Sequence, residues 1–413
     1  MKRRQFLKYS GLGTLSLVFS ACGRPKIQQN QDQIDPSRPD RQINFGNLEK
    51  KDLNLGLIPI IEAAPLIIAK EQGFFENYGL NVQLTRYPNW EEIDQNLKKY
   101  RLDGGQALLA MPLKARLGKP YAPMISLMML NRNGGAVVLN QQAWEEKLRP
   151  SLEYSNFREF SNQARQYIRR FSGAFNLGID DQFSMNSYIL RYWLAAMGID
   201  PEREVELKTF PPSQMVDKLQ AGIVKGYCLN EPWTQDINAK KVGFTAYLTK
   251  EIWQNHPGNV LAVMQPWVEN HPHTARALVG AVLEACRFCD RPENRPLVAQ
   301  ILAQPSYLNL ELSILENALV KPHLYGGFDQ QERAVSIPDT IFFHDFSDSL
   351  RKPDHANYPW LSDGVWILTQ MIRWNQIRQR QYPQDAAKIL AETYPLEVYQ
   401  DVAEALKINL PAY

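Results

Sequence analysis

From Leu53 onward the chain alternates short apolar runs with segments of helical period. Leu53-Asn54-Leu55-Gly56-Leu57-Ile58-Pro59 alternates as a half-buried strand does. Pro65 then opens a helix that closes at Gly73, the residue types favoured just inside a helix start and just past its end. Residues 80–84 read as a strand, 90–100 as a helix and 107–111 as a further apolar run. A second set follows, with strands over 175–179, 205–210, 226–229, 243–248 and 259–264, and helices over 187–197 and 214–221. Residues 272–290 begin a long helical portion. Strand–helix alternation of this kind predicts an α/β fold with parallel sheets covered by helices.

Two sequential α/β sets, with a C-terminal segment that must pack against them, predict two lobes and a chain that crosses back. The expected division is 52–140 as the first part of lobe 1, 141–262 as lobe 2, and 263–413 as a return to lobe 1 with a helical C-terminal segment. Ligands of open α/β sheets sit outside the carboxyl ends of the strands, so the site is expected in the cleft between lobes. Hinge closure around a small solute is the expected motion.

The N-terminus carries a separate message. Lys2-Arg3-Arg4-Gln5-Phe6-Leu7-Lys8 is a charged region with paired arginines, and residues 11–19 are apolar. That run is shorter than the roughly 20 residues a helix needs to span a bilayer. Phe19-Ser20-Ala21-Cys22-Gly23 then ends on small residues and a cysteine. The segment 1–22 resembles a twin-arginine export signal joined to a lipoprotein box, with Cys22 as the lipidated residue and the periplasmic face of the cytoplasmic membrane as the destination. Residues 23–51 are polar and read as a disordered tether.

Composition narrows the field. Lysine plus arginine number 46 against 44 aspartate plus glutamate, so no excess basic charge points to nucleic acid as a partner. Cys286 and Cys289 form Cys-x-x-Cys, but inside an Ala/Leu/Val-rich helical run with no second pair or histidine pair to complete a zinc set. They are expected as free thiols on a helix face. His271-x-His273, His344-Asp345 and Asp354-His355 lack the partners of a metal or nucleophile site, and no P-loop, dinucleotide fingerprint or Gly-x-Ser-x-Gly occurs. The reading is therefore a binding protein rather than an enzyme, with no cofactor and no metal.

Ordered stretches across 53–375 carry a resemblance: Leu-Gly-Leu-Ile-Pro-Ile-Ile-Glu-Ala-Ala-Pro-Leu-Ile-Ile-Ala-Lys-Glu-Gln-Gly-Phe-Phe (55–75), Leu-Arg-Tyr-Trp-Leu-Ala-Ala-Met-Gly (190–198), Pro-Pro-Ser-Gln-Met-Val (211–216), Asn-Glu-Pro-Trp (230–233), Trp-Gln-Asn-His-Pro (253–257), Asn-Tyr-Pro-Trp (357–360) and Met-Ile-Arg-Trp (371–374). The chain resembles the nitrate- and bicarbonate-binding lipoproteins of cyanobacterial ABC transporters. That resemblance implies a two-lobed type II periplasmic-binding fold that captures a small anion, nitrate or a related oxyanion, and delivers it to an ABC permease. It also implies site positions. Trp90 matches the family's pocket tryptophan, though it equally suits the start of its helix. Gly135 stands where the family has a pocket glutamine, and Asn186-Ser187 where it has a histidine turn. Asn259 occupies the position that is lysine in nitrate binders and glutamate in bicarbonate binders. Asn186, Ser187 and Asn259 can each donate to oxyanion oxygens, and the first two also suit a helix N-terminus. Gln106 is read as a ligand contact or a turn hydrogen bond, and Glu231 as a structural or hinge residue. Bicarbonate, cyanate, a sulfonate or a pyrimidine precursor remain alternative solutes, and an enzyme or non-transport sensor is the alternative of another class.

Overall fold

The computed structural model describes residues 43–118, 120–171, 173–335, 340–344 and 355–411; the expected export signal at 1–22, Cys22 and the expected tether as far as residue 42 lie outside them. Among the described residues the first eleven strands, ten of them in two five-stranded sheets, belong to one unit, Asp40–Tyr413. They are β1 (Asp52–Leu57), β2 (Asn81–Arg86), β3 (Gly104–Leu108), β4 (Met124–Met129), β5 (Arg132–Asn133), β6 (Gly135–Asn140), β7 (Phe175–Ile179), β8 (Val205–Thr209), β9 (Gly226–Asn230), β10 (Gly243–Leu248) and β11 (Asn259–Met264). One sheet has the order β2-β1-β3-β11-β4 and the other β10-β6-β9-β7-β8.

This sheet membership corrects the expected boundaries. β6 belongs to lobe 2 and β11 to lobe 1, so the chain crosses between lobes at 130–134 and 249–258 rather than after 140 and 262. It also corrects the expectation of purely parallel sheets. β6 runs antiparallel to β9 and β10, and β11 antiparallel to β3 and β4. The cause is topological: a chain leaving the carboxyl end of one sheet enters the other at the cleft and must run away from it.

The C-terminal portion is shared between lobes, a third correction. The helix Pro272–Asp290 is buried on nearly every side, as its apolar composition requires, and packs on the helices Ala64–Glu71 and Glu397–Ala405 of lobe 1. Cys286 and Cys289 are buried free thiols on it. Residues 312–335, in contrast, hold lobe 2. The helix Leu312–Leu319 packs on Trp233–Lys240, and Thr245 N–H donates to the Tyr325 carbonyl at 2.8 Å.

The tether is also shorter than expected at its inner end. Ile43, Phe45 and Leu48 pack against the main core, and Phe45 stacks on Tyr78 with ring centroids 6.0 Å apart. Glu49 accepts from Thr274 N–H at 3.0 Å, which fixes residues 43–51 to the start of the long helix. Three scattered apolar residues suffice because Gly280 leaves room for Phe45, whose ring a Cβ there would meet at 3.2 Å.

The lobes meet directly. Ile61 N–H of lobe 1 donates to the Glu231 carbonyl of lobe 2 at 3.1 Å, and Tyr188 hydroxyl donates to Gln376 Oε1 at 2.7 Å. The main core runs through from the lobe 1 sheet to Tyr188, Met215, Tyr227 and Trp233 of lobe 2, and a second core fills the far face of the lobe 2 sheet. Among the described residues no helix is long and apolar enough to cross a membrane.

Candidate functional site

Between the lobes lies a narrow cleft, whose roughly 240 Å³ of empty space includes its opening to solvent. Its walls come from strand ends and from the two crossovers. Leu108 ends β3, Asp180 follows β7 and Asn230 ends β9, while Asn133, His256, Gly258 and Asn259 belong to the crossovers or their exits. Ser184, Met185 and Asn186 complete it at the start of the helix Met185–Ala196. Ser184 Oγ accepts from Ser187 N–H at 3.1 Å, a side-chain cap that fixes this helix start at the cleft.

Asn186 and Asn259 thus line one cleft, although they come from different lobes. Asn259 N–H donates to Asn131 Oδ1 at 3.0 Å, and its buried Nδ2 has no hydrogen-bond partner. Gly258 beside it is required by that same asparagine, because a Cβ there would meet Asn131 atoms at 2.3–2.5 Å. Gly135 sets the opposite wall. A Cβ on it would approach Asn186 Oδ1 at 2.8 Å and Asn230 Oδ1 at 3.0 Å, so glycine is what lets these two amides sit at the cleft.

The other sequence candidates stand behind the wall. Asn89 caps the helix Trp90–Lys98 by accepting from Glu92 N–H at 3.0 Å. Trp90 in its first turn is 1% exposed and donates its indole N–H across the lobes to Asp180 Oδ2 at 2.9 Å. Gln106 is buried, and its Oε1 accepts from Ile58 N–H at 2.9 Å. Ser187 turns its hydroxyl to Arg191 within its own helix. Glu231 accepts from Thr234 hydroxyl and from Gln235 N–H, tying down the turn after β9.

Sequence reasoning passed over Asp180, Asn133, Asn230, Ser184 and His256. The carboxyl of Asp180 is buried, and Oδ1 has no partner. Burial raises its pKa, against which Ser184, Trp90 and Asn186 favour the ionised form. Glu62, in the helical turn Ile61–Ala63 of lobe 1, is fully buried, and neither of its oxygens makes a hydrogen bond. Burial first, then the charges of Asp180 and Glu231, push its pKa well up. His256 points Nδ1 at the Pro257 carbonyl at 2.9 Å and Nε2 at the Thr249 hydroxyl at 2.8 Å. Burial lowers its pKa to about 4, so it is neutral at pH 7.

The cleft is therefore lined by four asparagine amides, a serine, a neutral imidazole and one carboxyl, with no lysine or arginine among the lining residues. Such a wall offers neutral hydrogen bonds and no ion pair. Among the described residues no group of three His, Cys, Asp or Glu side chains is arranged to hold a metal ion.

The chain matches the NMT1-like family over residues 46–303. It is 35% identical over 336 residues to the nitrate import ATP-binding protein NrtC of Synechocystis sp., covering 80% of this chain and 47% of that protein. It thus spans about half the length of that relative. With the nitrate/nitrite binding protein NrtA of Nostoc sp. it is 30% identical over 420 residues, covering 99% of this chain and 90% of NrtA. The crystal structure of the periplasmic nitrate-binding protein NrtA from Synechocystis aligns with a TM-score of 0.77 at 26% identity, over 88% of this chain and 91% of that one. The fold is the two-lobed α/β fold of periplasmic binding proteins. With a family match covering more than half of its length, the chain belongs to the NMT1-like family.

Proposed function

We propose that this chain is the solute-binding component of an ABC importer, closing its lobes on a small oxyanion of the nitrate class and presenting it to the permease. The observation that carries the reading is a small, amide-lined cleft at strand carboxyl ends between two lobes, in a chain that aligns nearly end to end with a nitrate/nitrite binding protein. Closure is a population shift, and the solute favours the closed form by contacting both lobes through Asn186 and Asn259. Binding without turnover is expected of such a component. We further place the protein outside the cytoplasmic membrane, exported through residues 1–22 and anchored by lipid on Cys22. Loss of membrane retention in Cys22→Ala tests the anchor; a variant still in the membrane fraction would sink it.

The test of the solute is a thermal-shift screen of the full chain against nitrate, nitrite, bicarbonate, cyanate, sulfonates and pyrimidines. A solute that binds only the native state stabilises it by mass action, by about 2.7 kcal/mol at 100 times Kd, and so raises the midpoint. A shift with nitrate or nitrite supports the reading, and silence from every inorganic anion overturns the oxyanion class. A second reading has its own observation: identity is higher to half of an ATP-binding protein, 35%, than to a freestanding binding protein, 30%. It makes the chain a solute sensor acting on an importer's ATPase. Transport that stops when the gene is deleted favours delivery, whereas transport that continues but loses its control favours the sensor.

A further inference from the structure

The oxyanion reading leaves a question of charge, because the cleft that would hold the anion carries a carboxyl and no cation. We infer that Asp180 enters the closed cleft as a neutral carboxylic acid and donates a hydrogen bond from its O–H to an oxygen of the bound oxyanion, keeping the proton, so that capturing one solute takes up one proton wherever Asp180 is ionised in the free protein. This rests on the proposed function and names the specificity-determining group within it.

The geometry assigns the two carboxyl oxygens different tasks. Oδ2 is occupied by the Trp90 indole N–H at 2.9 Å, reaching over from lobe 1. Oδ1 is buried, has no partner and belongs to a cleft-lining residue. A bare carboxylate oxygen left unpaired in a buried site is costly, and opposite an anion it is repelled as well. One proton on Oδ1 removes both costs and turns the oxygen into a donor. A buried carboxylic acid kept neutral to donate a hydrogen bond is known chemistry.

The surroundings supply no alternative counter-charge. From lobe 1, Glu62 faces Asp180 with two unpaired oxygens. On lobe 2, Glu231 holds the turn after β9, Asp181 follows along the chain, and Cys228 of β9 lies buried within reach of the Asp180 charge. His256, the other ionisable residue of the lining, is neutral and fixed by Pro257 and Thr249. Lys114 acts on Asp181, where its charge offsets part of that residue's burial. Burial raises the pKa of Asp180 and outweighs the Ser184, Trp90 and Asn186 hydrogen bonds that favour the carboxylate. The balance is one solute anion plus one proton from water plus the Asp180 carboxylate, giving a complex with the proton on Oδ1; no bond in the solute breaks.

The experiment is calorimetric titration of nitrate into the full chain between pH 5.5 and 8.5, in two buffers of different ionisation heat. Above the pKa of Asp180 in the free protein, the Kd is expected to weaken about tenfold per pH unit, with buffer-dependent heat reporting uptake of one proton. Asp180→Asn, which keeps an acceptor for Trp90 and places an N–H at the Oδ1 position, is expected to flatten that profile. A wild-type Kd that stays constant over the range, without buffer-dependent heat, overturns the inference and leaves the oxyanion reading standing. Folded wild-type protein that binds ammonium or guanidinium but neither nitrate nor nitrite at any of these pH values overturns the oxyanion reading, and the inference with it.

Discussion

Trp90 offers the clearest way to separate closing the lobes from folding them. Its indole is fully buried, and its N–H bonds Asp180 Oδ2 at 2.9 Å from the opposite lobe. Trp90→Phe keeps most of the ring in the core and removes only the donor. Alanine is the wrong probe, since emptying a buried tryptophan site costs about 3–5 kcal/mol through the cavity alone. Deleting the donor leaves Oδ2 unpaired in the closed form, whereas water can reach it once the lobes part. An orphaned buried acceptor costs about 1–3 kcal/mol. The penalty falls on closure, so nitrate affinity should drop about 5- to 140-fold at 1.4 kcal/mol per decade. The assay is calorimetric titration at pH 5.5, paired with urea unfolding of the solute-free protein. Unchanged affinity, or a loss of stability as large as the loss of affinity, would show that Trp90 is a plain core residue and refute the cross-lobe argument.

Three further outcomes follow from the same structure. Asn186→Ala should weaken solute binding about tenfold while costing about 1 kcal/mol in urea unfolding, because the buried side chain lines the cleft and the cap is supplied by Ser184; an unfolded variant would contradict this. Asp363→Ala should cost about 3–5 kcal/mol in urea unfolding, since it strands Arg132, whose Nη2 lies 2.8 Å from Asp363 Oδ2 with both side chains largely buried. Burial pushes Glu231 up from 4.5 to about 7. The folded chain therefore keeps this proton between those values while the unfolded chain has lost it. Its contribution is greatest at low pH and falls as pH rises to about 7. Relative to wild type, Glu231→Gln should gain about 3 kcal/mol between pH 4 and 8; a difference that is flat or falls with pH would refute the assignment.

Much of the architecture was legible because its elements carry period and punctuation. Pro65 and Gly73 bracket a helix, and the apolar helix at 272–290 announces its burial. β4 and β6 were not legible: Met-Ile-Ser-Leu-Met-Met and Gly-Ala-Val-Val-Leu-Asn are buried on both faces and lack the alternation that marks a half-exposed strand. Losing them displaced the lobe boundaries, since the crossovers bring no change of composition. At the site, motif positions led to Asn186, Asn259 and Gly135, whose placements converge on one cleft. Asp180 was missed because a carboxylate contradicts an anion site on charge alone; its signal was position, directly after the carboxyl end of β7. Ser187 looked suitable by type, but helix geometry turns its hydroxyl to Arg191, four residues on.

The central claim is that two lobes close on a small oxyanion, and small-angle X-ray scattering of the purified chain with and without nitrate at pH 5.5 tests it most directly. The account predicts a saturable fall in the radius of gyration on adding nitrate, which Trp90→Phe shifts to higher concentration. A radius that stays constant while nitrate demonstrably binds would contradict closure as the mechanism.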